Sequence, residues 1–416
     1  MIKKILLSII VLFASACLMS SCKDDGPTVP EQTEWPESDH TYLIYMIGDN
    51  SLYGWCKTNT QKAIEGLLKS ETPVNLIIYE DSWGYNSNDT EQGKPVLFRL
   101  KRNLENKQKV DTIMIHKFET DHNSADPEIM QSIVNEAFAA YPASVKGLEI
   151  WCHGLGWAPS YKYKETKAAD ATRATQWVGP DDDRYMELWQ LRQALEKCPH
   201  MNYIAFDACN MCQAEVAYEL KDVADYMMAC PTEIMAQGLP YTDLIQILSG
   251  VNNVSALSQC FPKIAYAFQQ QDFVNHTHGT FSILDLKSMT ELHHAYNILQ
   301  SVCSDRLQML KDRPSSYLKS LQQFGRNSMG SNNLFFDMIT VADFLANNQP
   351  DLPAYVQLKK ALEKTILYEY HTDTFLDLGE ITCCGIGVAL PEVFTTTLSD
   401  GPRFLSAYNQ LLWSKD

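Results

Sequence analysis

The strongest constraint in this chain is a set of short runs that are apolar almost from end to end. They lie at 42–47 (YLIYMI), 74–79 (VNLIIY), 96–100, 113–118, 148–152 (LEIWC), 203–206 (YIAF) and 226–229 (YMMA). A strand with one wet face alternates, so runs like these suit strands buried on both faces. Between them lie stretches with helical spacing. They cover 57–69, a helix running to about Tyr141 with Asp126 as N-cap and Pro127 at its first position, 184–197 capped by Asp183, and 210–221. Strand and helix in alternation predict an α/β fold with a mostly parallel sheet and helices on both faces.

After Gly238-Leu239-Pro240 the pattern changes. Helical stretches at 243–248, 256–270, 286–306 and 353–368 dominate, interrupted by strand candidates at 280–284 and 385–390. We expect a main domain over 41–240 and a mainly helical C-terminal part over 241–416, able to add strands to the sheet. Acidic residues outnumber basic ones, 51 to 34, for a net charge of -17. Nucleic acid is therefore disfavoured as a partner.

The first residues read as an address. Lys3 and Lys4 precede the apolar stretch Ile5–Leu18, and Ser20-Ser21 precede Cys22. The stretch is too short for a comfortable membrane span. It resembles a bacterial lipoprotein signal over 1–21, with Cys22 acylated as the mature N-terminus; Met19 is a looser fit than the usual Leu. Residues 22–40 are rich in Pro and acidic side chains and read as a flexible tether. Lys23-Asp24-Asp25 resembles a lipoprotein surface-export signal. The expected location is the bacterial outer membrane, facing the periplasm or the exterior, held by lipid rather than by charge.

Two strands end in reactive residues. LEIWC runs into His153-Gly154, and YIAF runs into Asp207-Ala208-Cys209. In open α/β sheets, reactive groups collect at the carboxyl ends of strands. A thiol at the start of helix 210–221 would feel the helix dipole, which favours the thiolate. His153 would serve as acid and base, and the amides of Gly154 and Cys209 would hold an oxyanion. Bland readings stand beside this one: a His after a strand is more often structural, and a Cys beside Asp is often just buried. Cys209 and Cys212 also form a C-x-x-C pair, which could be a redox dithiol. A metal site from His153, Cys209 and Cys212 lacks a convincing fourth ligand.

The segments IYMIGDNSL, WCHGLGW, YIAFDACNMCQAEVAYELKDVADYMMA and QGLPY resemble the clostripain family of cysteine peptidases in order and spacing. Weaker similarity continues through SILDL and GIGVALP, so the resemblance spans about 41–416. It implies a caspase-like sheet, His153 as catalytic histidine, Cys209 as nucleophile, and Asp207 at the base of the primary specificity pocket. A carboxylate there would pair with Arg or Lys of a protein or peptide substrate. Helix N-cap or strand-end acceptor is the plainer role for Asp207. The family often activates itself by cutting between His and Cys. Segment 160–176 is polar and carries Lys162, Lys164, Lys167 and Arg173, and cleavage after Lys167 is expected.

The sequence departs from the family pattern at Leu155, Asn210, Cys212 and 229–233 (ACPTE), which bears on groove shape. No organic cofactor is implied. Calcium at Asp181-Asp182-Asp183 fits the resemblance, although a solvated helix-capping turn is the simpler reading. Trp151 and Trp157 read as packing residues, and Asp49-Asn50 as a cap for the following helix. Cys152 or Cys212 could bridge to Cys209, but sequence assigns no disulfide pairs. We expect a lipid-anchored cysteine endopeptidase; a non-catalytic surface binding protein with the same fold is the alternative of another class.

Overall fold

Strand β1 (His40–Gly48) is buried at every position and feeds two cores. Leu43, Tyr45 and Ile47 enter one cluster, while Tyr42, Ile44 and Met46 enter the other. Alternate side chains of a strand point to opposite faces, so this strand must be covered on both sides. The computed structural model describes residues 37–82, 94–159, 176–181, 184–271, 279–326, 333–375, 379–398 and 400–415.

The remaining strands are β2 (Asn75–Ser82), β3 (Val96–Arg102), β4 (Val110–Lys117), β5 (Val145–Trp151), β6 (Gly154–Pro159), β7 (Gln176–Asp181), β8 (Arg184–Met186), β9 (Met201–Asp207), β10 (Ala224–Ala229), β11 (Thr280–Asp285), β12 (Gln323–Arg326), β13 (Asn333–Asp337), β14 (Ile366–His371) and β15 (Gly387–Val388). The main sheet has nine strands in the order β14-β11-β10-β9-β5-β1-β2-β3-β4. Its five central strands, β10 to β2 in that order, are parallel. The flanking pairs are antiparallel. Most of the apolar runs sit in buried strands of this mostly parallel sheet; the 113–118 run is the exception, because β4 is an antiparallel edge strand with Ile113 and Met114 exposed. Two small sheets, β6-β7-β8 and β12-β13-β15, lie beside it.

Helices α1 (Tyr53–Lys69), α2 (Pro127–Ala140), α3 (Leu188–Leu195), α4 (Ala214–Glu219), α5 (Tyr241–Leu248), α6 (Val254–Gln269) and α7 (Met289–Val302) cover the main sheet. Side chains of α1, α5 and α6 (Leu67, Ile245, Phe261) share the cluster of Tyr42 and Ile44. Those of α2, α3, α4 and α7 (Ile133, Leu191, Val216, Leu292) share the opposite one. Asp126 caps α2 as expected, accepting from the amides of Glu128 (2.8 Å) and Ile129 (3.2 Å), with Pro127 at the first position. Pro353 likewise opens helix Pro353–Thr365.

Two expected helices begin elsewhere. Residues 184–186 form β8, and α3 is opened by a Glu187–Gln190 capping box rather than by Asp183. The helix expected from Asn210 starts only at Ala214. Past residue 240, β11 and β14 extend the main sheet beside β10, and β15 belongs to a small sheet. Among the described residues no helix is long and apolar enough to cross a membrane.

Candidate active site

The parallel register of β5 and β9 places the site. Trp151 pairs with Asp207, and the Cys152 amide donates to the Asp207 carbonyl at 3.2 Å. Continued past the sheet edge, that register sets Cys152-His153 beside Ala208-Cys209. Neighbouring strands lie ~4.8 Å apart, so the two loop tips leave the sheet together. His153 and Cys209, 56 positions apart in sequence, emerge at the same level of one sheet edge.

Gly154 confirms how closely the tips approach. A Cβ there would stand 2.9 Å from the Cys209 carbonyl oxygen and 3.1 Å from Met211 Sδ. Only a residue without a side chain brings that amide against the 208–211 turn.

Cys209 lies in a turn, five residues ahead of α4, so the expected helix-dipole support for its thiolate is absent. Asn210 takes a left-handed conformation, φ 59°, which ends any helical path through the turn. Asn is among the residues that tolerate that region, a physical reason for Asn here. The half-buried thiol donates to the Ile234 carbonyl at 3.7 Å. Burial pushes it up to about 12, and the carboxylates of Glu233 and Asp207 add to the rise. The resting species is a neutral thiol.

His153 is partly buried, and burial lowers its imidazole below the ordinary value. Its Nε2 lies 2.9 Å from Ser51 Oγ, at the turn after β1. Asn50 fixes that turn: its side-chain amide donates to the carbonyls of Ile47 (2.9 Å) and Pro180 (2.8 Å), and its Oδ1 accepts from the Leu52 amide (2.8 Å). Leu52 itself is the N-cap residue of α1, with no side-chain cap.

Asp207 is 5% exposed, with Oδ2 accepting from the Leu239 amide (3.1 Å) and the Tyr241 hydroxyl (2.6 Å). A Cβ on Gly238 would stand 2.1 Å from Oδ2, and φ there is +71°, so glycine is required over the carboxylate. Burial raises Asp207 to about 6. Lys62 of α1 donates to the Gln237 carbonyl at 3.0 Å; burial lowers its ammonium below the ordinary lysine value, and Asp207 opposes that shift. A cavity of about 200 Å³ is lined by Lys62, Gln237, Leu239, Tyr241 and Asp243 among others, so two of its lining residues, Leu239 and Tyr241, are those that donate to Asp207.

The departures from the family pattern have local accounts. Leu155 packs into the core. Cys212 donates to the Gly385 carbonyl at 3.1 Å. The Pro231 carbonyl accepts from Gln213 Nε2 at 2.9 Å. All ten described cysteines are free thiols, so neither Cys152 nor Cys212 bridges to Cys209. Among the described residues no three His, Cys, Asp or Glu side chains are grouped to hold a metal, and His153, Cys209 and Cys212 do not form such a set. Asp181 turns inward, accepting from Ser124 Oγ at 2.7 Å. Trp151 and Trp157 are packing residues, Trp157 against Phe335, Phe394 and Tyr408. Cys22, Lys167, Asp182 and Asp183 lie outside the described residues.

The sequence profile of the clostripain family matches residues 44–415. The chain belongs to the clostripain family of cysteine peptidases. Its similarity to clostripain of Hathewaya histolytica is 26% identity over 241 residues, 52% of this chain and 44% of that protein. The chain thus matches less than half the length of that curated relative. Among solved structures it is similar to an inactive zymogen C11 protease from Parabacteroides distasonis, with TM-score 0.69, 25% identity, and 91% and 98% of the two chains covered. A secreted C11 cysteine protease from Bacteroides thetaiotaomicron, solved with an irreversible peptide inhibitor, shares the fold at TM-score 0.66 and 23% identity, with 90% and 97% covered.

Several residues of this clostripain-family site were not singled out in sequence. Ser51 touches the imidazole, Gly238 covers Asp207, and Glu149 of β5 joins Asp207 through Tyr241. Glu149 did leave a signal: it is a lone carboxylate inside a run that is otherwise buried on both faces.

Proposed function

We propose that this chain is a cysteine endopeptidase that hydrolyses peptide bonds after Arg or Lys. The observation that carries the reading is the shared register of His153 and Cys209, with Asp207 two residues before the thiol. His153 takes the proton from Cys209 as Sγ attacks the scissile carbonyl carbon. The carbonyl oxygen becomes an oxyanion that the amides of Gly154 and Cys209 hold. As the C–N bond breaks, His153 returns the proton to the leaving amine, and a thioester remains. Water, deprotonated by His153, then releases the acid and restores the thiol. No cofactor enters these steps.

Asp207 selects the substrate. A buried carboxylate that meets no cation stays unpaired in a dry site, so uncharged side chains are rejected. The inhibitor-bound relative supports a peptide groove on this fold. The zymogen relative supports control by cleavage, which we place after Lys167 in segment 160–176. We further propose lipid attachment at Cys22 and residence at the bacterial outer membrane.

A fluorogenic peptide panel tests the reading on wild type, Cys209→Ala, His153→Ala and Asp207→Ala. The first two variants should lose at least roughly a thousandfold in kcat/KM. Asp207→Ala should lose its preference for basic peptides. Wild type inert toward every lysyl and arginyl peptide, before and after cleavage in segment 160–176, would end the proposal and favour a binding protein.

A further inference from the structure

The face of the sheet below the site carries two buried carboxylates where one cation is to be bound. Glu149 lies on β5 and Asp207 on β9, on the face shared with Tyr42, Tyr203 and Ala205. Glu149 is fully buried. Its Oε2 accepts from the Tyr42 hydroxyl, and its Oε1 contacts the Tyr241 hydroxyl. That same hydroxyl meets Asp207 Oδ2 at 2.6 Å.

Proton counting decides the state of this group. Three oxygen–oxygen contacts each need one hydrogen: Tyr42 to Glu149, Tyr241 to Glu149, and Tyr241 to Asp207. The two phenols supply one hydrogen each. The third must sit on a carboxyl group, so the pair holds one extra proton and carries one negative charge.

We propose that Glu149 is held as a neutral carboxylic acid that, through Tyr241, positions Asp207 as the only ionised carboxylate at the pocket floor. The proposal rests on the reading of Asp207 as that floor. The hydrogens then run one way: Glu149 donates to Tyr241, Tyr241 donates to Asp207, and Tyr42 donates to Glu149.

The surroundings place the proton on Glu149 rather than on Asp207. Asp207 also accepts the Leu239 amide and faces the Lys62 ammonium, both of which favour its anion. Glu149 faces the phenols of Tyr42, Tyr203 and Tyr241, all raised well above the ordinary value and so uncharged, and among the described residues no cation acts on it. The thiols of Cys152, Cys209 and Cys230 also feel Asp207 and are themselves neutral. Burial and the neighbouring Asp207 push Glu149 up, to about 8. Two like charges at this spacing in a dry site cannot both persist.

Three variants separate the roles: Glu149→Gln, Tyr241→Phe and Asp207→Asn. The readout is kcat/KM for a lysyl peptide over its uncharged norleucyl analogue, as a function of pH. Glu149→Gln keeps an N–H donor toward Tyr241 and an acceptor for Tyr42, so its basic preference should stay within roughly threefold of wild type. Tyr241→Phe removes the bridge and should lower the preference roughly tenfold or more through KM, moving the acid limb of the profile. Raised acids such as Asp81 and Glu215 cancel when the Glu149→Gln spectrum is subtracted, so the infrared difference of wild type minus Glu149→Gln should show a protonated carboxylic C=O band, and Asp207→Asn should retain that band. Loss of basic preference in Glu149→Gln as complete as in Asp207→Asn would overturn the proposal, as would a missing band. Full basic preference in Asp207→Asn, with the band present, would instead remove Asp207 from the pocket and leave the protonated Glu149 standing.

Discussion

Ser51 Oγ lies 2.9 Å from His153 Nε2. An imidazole tethered through Nε2 presents Nδ1 as the nitrogen left for proton transfer. The tether comes from the turn that Asn50 locks to Pro180, and the Gly179 amide donates to the His153 carbonyl at 3.2 Å. Backbone and side chain of His153 are therefore held from the same neighbourhood. Ser51 acts through His153 and is a positioning residue.

Ser51→Ala should lower kcat/KM for a basic peptide by roughly three- to tenfold, the worth of one ordinary hydrogen bond. The loss should fall on kcat, with the pH limb assigned to His153 displaced, and Ser51→Thr should restore most of both. Steady-state kinetics across pH check this. An unchanged profile in Ser51→Ala would mean that the contact does not orient the ring.

The thiol makes a second prediction. With Cys209 pushed up to about 12, the reactive thiolate is scarce near neutrality and increases about tenfold per pH unit. Inactivation of the uncleaved protein by iodoacetamide should therefore keep accelerating past about pH 8. Mass mapping of the alkylated site reads the position, and Cys209→Ala should leave that site unlabelled. A plateau reached below about pH 7 would show an ion pair with His153 already in the resting protein.

Much of the sheet was legible because burial on two faces leaves a plain mark. Tyr42–Ile47 and Leu148–Cys152 contain almost nothing polar, and both lie in central parallel strands. His153 and Cys209 were legible for the same reason, as reactive residues at the ends of such runs. The turn at Cys209 was not, because residues 210–213 are helix-compatible in type, whereas the left-handed φ of Asn210 and the extended backbone of Gln213 break the path. Ser51 reaches the site from a turn and Tyr241 from the start of α5, 102 and 34 positions away from their partners His153 and Asp207. No local pattern reports such contacts. Glu149 marks the opposite case: its place inside LEIWC was a visible conflict between charge and burial, and conflicts of that kind gather at functional sites.

Gly238 gives a third prediction. Its φ of +71° disfavours any side chain, and a Cβ would collide with the Asp207 carboxylate. Gly238→Ala should destabilise the fold by about 1–3 kcal/mol. It should also raise KM for lysyl and arginyl peptides more than for neutral ones, since the displaced group is Asp207. Thermal melting and the two KM values measure the effects separately. Equal changes in KM for both peptide classes would detach Gly238 from specificity.

The buried acids also govern how stability follows pH. Glu149 is raised from its unfolded value to about 8 and Asp207 to about 6. Between the unfolded values and these, the folded protein binds more protons than the unfolded chain, so unfolding free energy falls as pH rises. The stability due to a neutral Glu149 is fully present below its unfolded value and is lost as pH passes through about 8. Glu149→Gln cannot ionise, so its stability relative to wild type should improve across that window by about 1 kcal/mol or more. Other raised acids, such as Asp81 and Glu215, tilt both proteins alike and cancel in the difference. Chemical denaturation of both proteins at several pH values gives that difference directly. A gap that stays constant from about pH 5 to about pH 9 would show that Glu149 does not titrate there.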